Sequence, residues 1–286
     1  MLVSGKTILD VAHENFFAVP AFNVSDHSMM NGLFEICEEL GAPWILAIHP
    51  DELNHIGDHF LASALQRARS SSVPVAIHWD HGADYRQAIR AISLGFTSVM
   101  IDKSMSPFEE NVAEVKKVVE AAHAVGVSVE GELGTIGKTD DEAEDGAADI
   151  IYTKPEEAVE FIAQTGVDFL AIAIGTCHGI YPAHMKPELK LDLLKEIKAA
   201  TGAPLVLHGG SNNPDAEIGT AAETGVNKIN ISSDIKVAYQ AKYRDMLADG
   251  KLREPNSIQP AAQEAMKVVA AQKIELFGAD GKAKLF

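Results

Sequence analysis

The chain reads as a (β/α)8 barrel, and three observations predict it. Eight short apolar runs recur along the 286 residues, each bounded by turn residues or polar segments. Amphipathic stretches separate them, at a spacing of about thirty residues, the length of one strand–helix–strand unit. Nearly every run also ends on a polar or ionisable side chain, and barrels place their chemistry at the C-terminal ends of their strands.

In chain order the predicted strands are Ala18–Asn23, Pro43–His49, Pro74–Asp80, Ser98–Asp102, Val127–Glu132, Asp168–Ile174, Pro204–His208 and Val226–Ile231. Between the fourth and fifth, Phe108–His123 sets Val112, Val115, Val119 and Ala122 on one stripe, with Glu and Lys elsewhere. That is the pattern of a helix with one face on a core. Glu156–Gln164 and Leu191–Ala200 repeat it. The strand ends carry Asn23, His49, Asp80 with His81, Asp102, Glu132, His178 just past its strand, His208 and Asn230. Parallel strands of one barrel bring such ends to a single mouth.

Two further segments stand out. Gly134–Ala148 is acidic and glycine-bearing, and follows directly from the strand ending in Glu132. It reads either as a solvated loop or as a lid over the barrel mouth. After Asp249 a tail begins polar and ends as an amphipathic helix, expected to pack on the barrel or on another subunit. No Pro/Gly/Ser-rich linker divides the chain, so residues 1–286 are expected to form one barrel domain with that helical tail.

At 47% hydrophobic residues the chain can bury a sizeable core. Its net charge of −17 argues against nucleic-acid partners and against an anionic membrane surface. A small anion held by backbone N–H groups remains compatible with it. Cys37 and Cys177 supply no disulfide framework, which suits a reducing compartment. The first fifteen residues lack an apolar signal core, and no apolar run approaches the roughly 18–20 residues of a membrane span. The expectation is a soluble cytoplasmic protein.

A single histidine at a strand end is more often a structural hydrogen-bonder than a ligand. His81, His178 and His208 follow three different strands and can share a centre at the barrel mouth. Three imidazoles with a fourth position open are the ligand set of a catalytic zinc. Asp80, beside His81, is placed to move a proton on whatever such a metal polarises. Asp102 and Glu132 are carboxylates that are costly to bury unpaired. They can accept the second N–H of a ligand imidazole, hold a second metal, or pair with cations elsewhere. His78 shares Asp80's face of the strand and either supports the site from below or fills the barrel. His55 and His59 have helical i, i+4 spacing but lack the glutamate that precedes the second histidine in zincins, so they read as surface residues. Cys177 reads as packing rather than as a nucleophile.

His208-Gly209-Gly210-Ser211 follows the seventh predicted strand and Asn230-Ile231-Ser232-Ser233 closes the eighth. Barrel loops at these positions commonly bind phosphate through backbone N–H groups and a helix N-terminus. Gly179 can add another N–H. Taken singly, either motif is ordinary turn and N-cap chemistry.

The motifs HWDHG, SVMIDKS, SVEGELG, AIAIGTCHG, LVLHGGS and KINISSD fall in the order and spacing of one family. The chain resembles the class II, metal-dependent fructose/tagatose bisphosphate aldolases from AVPAFN near its start to KIELFG near its end. The resemblance implies that His81, His178 and His208 hold zinc and that Asp80 is the general acid/base serving the aldehyde oxygen. It makes Asp102 and Glu132 supports of the zinc site or alternative metal ligands, with a second metal or a monovalent cation as a further expectation. Gly179, Gly209, Ser211, Ser232 and Ser233 would take the phosphate of dihydroxyacetone phosphate, and Asn230 its carbon skeleton. Asn23 and His49 are further expected substrate contacts. Zinc would be the Lewis acid that replaces the Schiff-base lysine of the metal-free route. Family members are usually homodimers or homotetramers.

The chain also departs from the family pattern. In the bisphosphate enzymes a Ser or Thr follows the second strand, and an arginine near the C-terminus reaches the second phosphate. Here His49 and Asn256 stand in those places, with Arg253 close by. Losing a hydroxyl and a bidentate cation weakens a distal phosphate site. The family's lid motif GGxED reads Gly137-Lys138-Thr139-Asp140-Asp141, which makes Asp140 the candidate for the lid acid/base. Asn212 stands where glycine is frequent, and Asn tolerates the left-handed backbone. The expectation is an aldolase that cleaves a ketose 1-phosphate or ketose 1,6-bisphosphate to dihydroxyacetone phosphate and an aldehyde, and the altered distal half points to the ketose 1-phosphate, whose aldehyde carries no phosphate. A metal-dependent hydrolase and a non-catalytic aldolase-like subunit are the alternatives. Two phosphate-cradling loops and a lid favour the carbon–carbon lyase over the first, and the intact histidines argue against the second.

Overall fold

A computed structural model describes residues 1–135, 150–179 and 188–286, together with the backbone of 137–138. Runs rich in Val, Ile, Leu and Ala become strands here because both faces are covered, so no alternation with polar residues is needed. The barrel strands are β1 (Val19–Asn23), β2 (Trp44–Ile48), β3 (Val75–Gly82), β4 (Ser98–Ile101), β5 (Ser128–Leu133), β6 (Phe169–Ile172), β7 (Leu205–Leu207) and β8 (Val226–Ile231). They close in the ring order β1-β8-β7-β6-β5-β4-β3-β2, and every neighbouring pair is parallel. The predicted strands Pro43–His49, Pro74–Asp80 and Pro204–His208 lose their prolines to the preceding turn, since proline cannot donate to the ladder. A two-residue parallel pair, Gly137–Lys138 with Cys177–His178, lies outside the barrel ring.

Helix α1 (Gly5–Glu14), which the apolar periodicity left unassigned, starts at the Ser4 cap and lies against β1, β3, β5 and β8. Touching strands from around the ring, it closes the barrel's N-terminal end. Outside lie α2 (His27–Glu39), α3 (Pro50–Ile56), α4 (Phe60–Arg69), α5 (Tyr85–Leu94), α6 (Phe108–His123), α7 (Pro155–Thr165), α8 (Leu191–Thr201), α9 (Asp215–Thr224) and α10 (Ser233–Leu247). The tail forms α11 (Pro255–Leu276), which buries Ile258, Ala262, Met266, Ala270 and Ile274. It packs on α2 and α10 of its own chain. His55 and His59 do not share a helix: α3 stops at Ile56, Gly57 takes φ 81°, and both histidines are exposed. Among the described residues no helix is long and apolar enough to cross a membrane.

Aromatic packing holds β1 and β2 to α2. The Trp44 ring stands edge-on to Phe34 at 4.8 Å and tilted to Phe22 at 6.5 Å, and all three are fully buried. Such pairs add to the burial of their area. Trp44→Ala is expected to lower stability by about 3–5 kcal/mol, seen as a lower urea midpoint at unchanged slope.

Candidate active site

The site begins with an irregularity in β3. Successive residues of a regular strand face opposite ways, yet Asp80 and His81 both line the barrel mouth. The ladder with β4 shifts register between Trp79 and Gly82, and His81 takes a left-handed φ of 52°. Gly82 permits this, since a Cβ there would lie 2.6 Å from the Met100 carbonyl and 2.6 Å from Trp79 Nε1. A left-handed non-glycine residue costs about 1–3 kcal/mol and persists where its surroundings over-determine it.

The surroundings do so here. His81 Nδ1 meets Asp102 Oδ2 at 3.0 Å, and the other Asp102 oxygen accepts the Ser104 N–H and hydroxyl at 3.0 and 2.7 Å. His81 Nε2 therefore faces the mouth, 2.8 Å from His208 Nδ1. His208 turns its Nε2 to Glu130 Oε1 at 2.6 Å. The second Glu130 oxygen receives Lys228 Nζ at 2.7 Å, with His78 Nε2 at 3.6 Å. His78, Glu130 and Lys228 are all fully buried. The His178 ring centroid lies 5.0 Å from that of His81 and 6.0 Å from that of His208. One ring nitrogen from each of the three histidines falls within 4.8 Å of the others.

Asp80 is gripped by two amides, Asn23 Nδ2 at 2.9 Å and Asn230 Nδ2 at 3.0 Å. Burial would raise its pKa, but His81, His208 and Lys228 hold it well below the usual carboxylate range. Burial, reinforced by His81 and His208, lowers His178 to about 3, so its ring is neutral with a lone pair available. Burial and the neighbouring Asp102 push Glu132 well above the carboxylate range, and its Oε2 has no hydrogen-bond partner. His81, Asp102 and Glu132 form a second group of ligand atoms within 4.8 Å of one another. A buried carboxyl oxygen without a donor, beside imidazoles whose outer nitrogens are already engaged, fits a divalent cation that takes nitrogen and oxygen ligands.

Above these groups opens a cavity of about 620 Å³. Asn23, His49, Asp80, His81, Asp102, Glu132, His178, Gly179, Gly209, Ser211, Asn230, Ser232 and Ser233 all line it. His208 lies fully buried beneath. Asp140 falls outside the described residues. Gly209 adopts φ 63° with room for no Cβ, which would sit 2.4 Å from the Cys177 carbonyl. Asn212 has the left-handed φ, 57°, that its position was expected to need. Ser211 Oγ accepts the Ser232 and Asp234 N–H groups at 3.3 Å each, and so caps α10 from the turn after β7 while the helix's own N-cap residue, Ser232, makes no side-chain cap bond. Asn256 lines a separate pocket with Asp26 and Asn31, while Arg253 is exposed and pairs with Glu254, so neither reaches the cavity.

Sequence reading missed Glu130, Lys228 and the Glu52–Lys236 ion pair at 2.5 Å. For the first two a signal existed. Glu130 precedes Glu132 by two residues and Lys228 precedes Asn230 by two, so each shares the inward face of its strand. The same parity did single out His78. Glu52 and Lys236 sit on different helices, and no spacing links them.

Two outcomes are expected. Glu130→Leu leaves the Lys228 charge buried alone and should cost about 3–5 kcal/mol, while E130L/K228M should recover most of it; urea unfolding of both variants checks this. In metal-free protein, burial alone would lower the His81 pKa, but Asp80, Asp102 and Glu132 outweigh it and push it up to about 9, from 6.5. Raised in the folded state, this group stabilises fully below pH 6.5 and loses its contribution as pH rises through about 9. Chelator-treated protein should therefore lose urea resistance across that window, and His81→Ala should flatten the loss.

The profile of the family described as fructose-bisphosphate aldolase class-II matches residues 3–282. The chain is 41% identical over 289 residues to a fructose-bisphosphate aldolase of Staphylococcus aureus, covering 99% of both chains. It is 39% identical to the D-tagatose-1,6-bisphosphate aldolase subunit GatY of Klebsiella oxytoca, covering 98% of this chain and 99% of that one. Among solved structures, the YdjI aldolase of Escherichia coli K12 aligns with a TM-score of 0.88 at 33% identity, over 99% of this chain and 100% of that one.

Proposed function

The chain belongs to the class-II fructose-bisphosphate aldolase family, and on that premise we propose a zinc-dependent aldolase. It reversibly cleaves a ketose 1-phosphate or ketose 1,6-bisphosphate to dihydroxyacetone phosphate and an aldehyde. One observation carries the reading: three neutralisable imidazoles converge beside an ionised Asp80 at the floor of a cavity of about 620 Å³.

His81, His178 and His208 hold the metal. Bound there, zinc supplies the Lewis-acid polarisation of the substrate carbonyl. Asp102 and Glu130 fix the His81 and His208 rings so that Nε2 of one and Nδ1 of the other face the ion. Glu132, with Asp102 and His81, offers an alternative position for the metal or a place for a second cation. Gly179, Gly209, Ser211, Ser232 and Ser233 take the phosphate, at the start of α10, where the positive end of the helix dipole favours an anion. Asn230 and Asn23 hold the Asp80 carboxylate and border the substrate's carbons, and His49 meets the aldehyde from the rim.

Asp80 is ionised and so ready to act as a base. In cleavage it takes the proton of the hydroxyl that becomes the aldehyde; in synthesis it returns it. Asp140 is assigned the proton of dihydroxyacetone phosphate on its sequence position alone. Residues 1–286 act as one domain in a homodimer or homotetramer. Cys37 and Cys177, both buried and in no disulfide, suit the reducing cytoplasm.

Coupling dihydroxyacetone phosphate release to a reductase tests the reading. Activity should vanish with chelator and return with zinc. Asp80→Asn should lower kcat by about 10²–10⁴-fold at unchanged zinc content. Failure to release dihydroxyacetone phosphate from any ketose phosphate overturns the proposal, and release of inorganic phosphate instead would favour a hydrolase.

A further inference from the structure

In the closed ring β3 and β4 stand opposite β7 and β8, with β2 beside them. The mouth therefore has a phosphate-cradling wall at β7 and β8 and a second wall built from the turns after β2 and β4, of which β4 faces β8 and β2 lies two strands from each. The turn after β2 has spent its backbone donors. The His49 N–H goes to Glu52 Oε2 at 2.8 Å, Pro50 has none, and the Asp51 N–H goes to His49 Nδ1 at 3.2 Å. Two strands along the ring, Asp102 takes both the N–H and the hydroxyl of Ser104.

Charge points the same way. Asp51, Glu52 and Asp102 all line this side of the cavity. Lys236 is the one Lys or Arg lining the cavity among the described residues, and Glu52 neutralises it at 2.5 Å. A phosphate dianion here would meet carboxylates and find no free N–H in three consecutive positions. A sugar hydroxyl fits better. With Nδ1 accepting the Asp51 N–H, a neutral His49 ring carries its proton on Nε2 and donates, while the Asp51 carboxylate accepts.

We propose that the aldehyde half of the site takes an uncharged polyhydroxylated aldehyde, and that Asp51 and its spent turn exclude a second phosphate. The substrate in the cleavage direction is then a ketose 1-phosphate. The inference rests on the aldolase reading above and narrows it.

The test uses zinc-loaded full-length protein and matched pairs of D-ketohexose 1-phosphates and 1,6-bisphosphates of the same configuration. In every pair that is cleaved, the 1-phosphate should lead by about tenfold or more in kcat/KM, and raising ionic strength should narrow the lead. Asp51→Asn, an exposed and conservative change, should narrow it by at least about threefold by removing the repelling charge. A bisphosphate cleaved faster than its 1-phosphate partner overturns the inference, as does an unchanged ratio in Asp51→Asn. Either result leaves the aldolase reading standing, whereas no dihydroxyacetone phosphate from any pair sinks that reading first.

Discussion

His81 Nε2 and His208 Nδ1 stand 2.8 Å apart in the barrel mouth because a buried carboxylate holds each ring from behind. Asp102 takes the far nitrogen of one ring and Glu130 that of the other. Remove either carboxylate and a ring is free to rotate its lone pair out of the mouth. Glu130 is itself affordable in the interior only because Lys228 and the His208 N–H satisfy it. The ligand geometry at the top of the barrel thus depends on an ionic layer inside it, one residue pair down each strand from the mouth.

That layer explains why the barrel is not filled with hydrocarbon alone. His78, Glu130 and Lys228 are fully buried, yet His78 Nδ1 reaches Ser98 Oγ at 2.7 Å and the other two groups are ion-paired. Burial and Lys228 lower His78 to about 3, so it enters the layer as a neutral ring and brings no further charge. Above, the β3 irregularity does a second kind of work. By turning Asp80 and His81 to the same side, it sets an ionised carboxylate next to a ring of the three-histidine cluster within one dipeptide. A regular strand would have sent one of them into the surrounding helices.

The two sides of the mouth differ in the side chains they present to the cavity. Around β7 and β8, Gly209, Ser211, Ser232 and Ser233 line the cavity with no carboxylate among them, and the Ser211 hydroxyl holds the Ser232 and Asp234 N–H groups at the start of α10. Around β2 and β4, side chains fold back on their own backbone and consume it.

Sequence alone determined the strands and the mouth. Runs of Val, Ile, Leu and Ala between polar turns are local signals, and a parallel barrel gathers their ends without any further information, so His81, His178, His208, Asp80 and Glu132 were legible. The helix α1 was not, since closing a barrel end leaves no lasting stripe in ten residues. Tertiary structure alone decided which charges neutralise each other. Glu130 and Lys228 are 98 positions apart, and Glu52 and Lys236 are 184 apart. Their meeting depends on how strands tilt and stagger around a closed ring, a quantity that no short stretch of chain encodes.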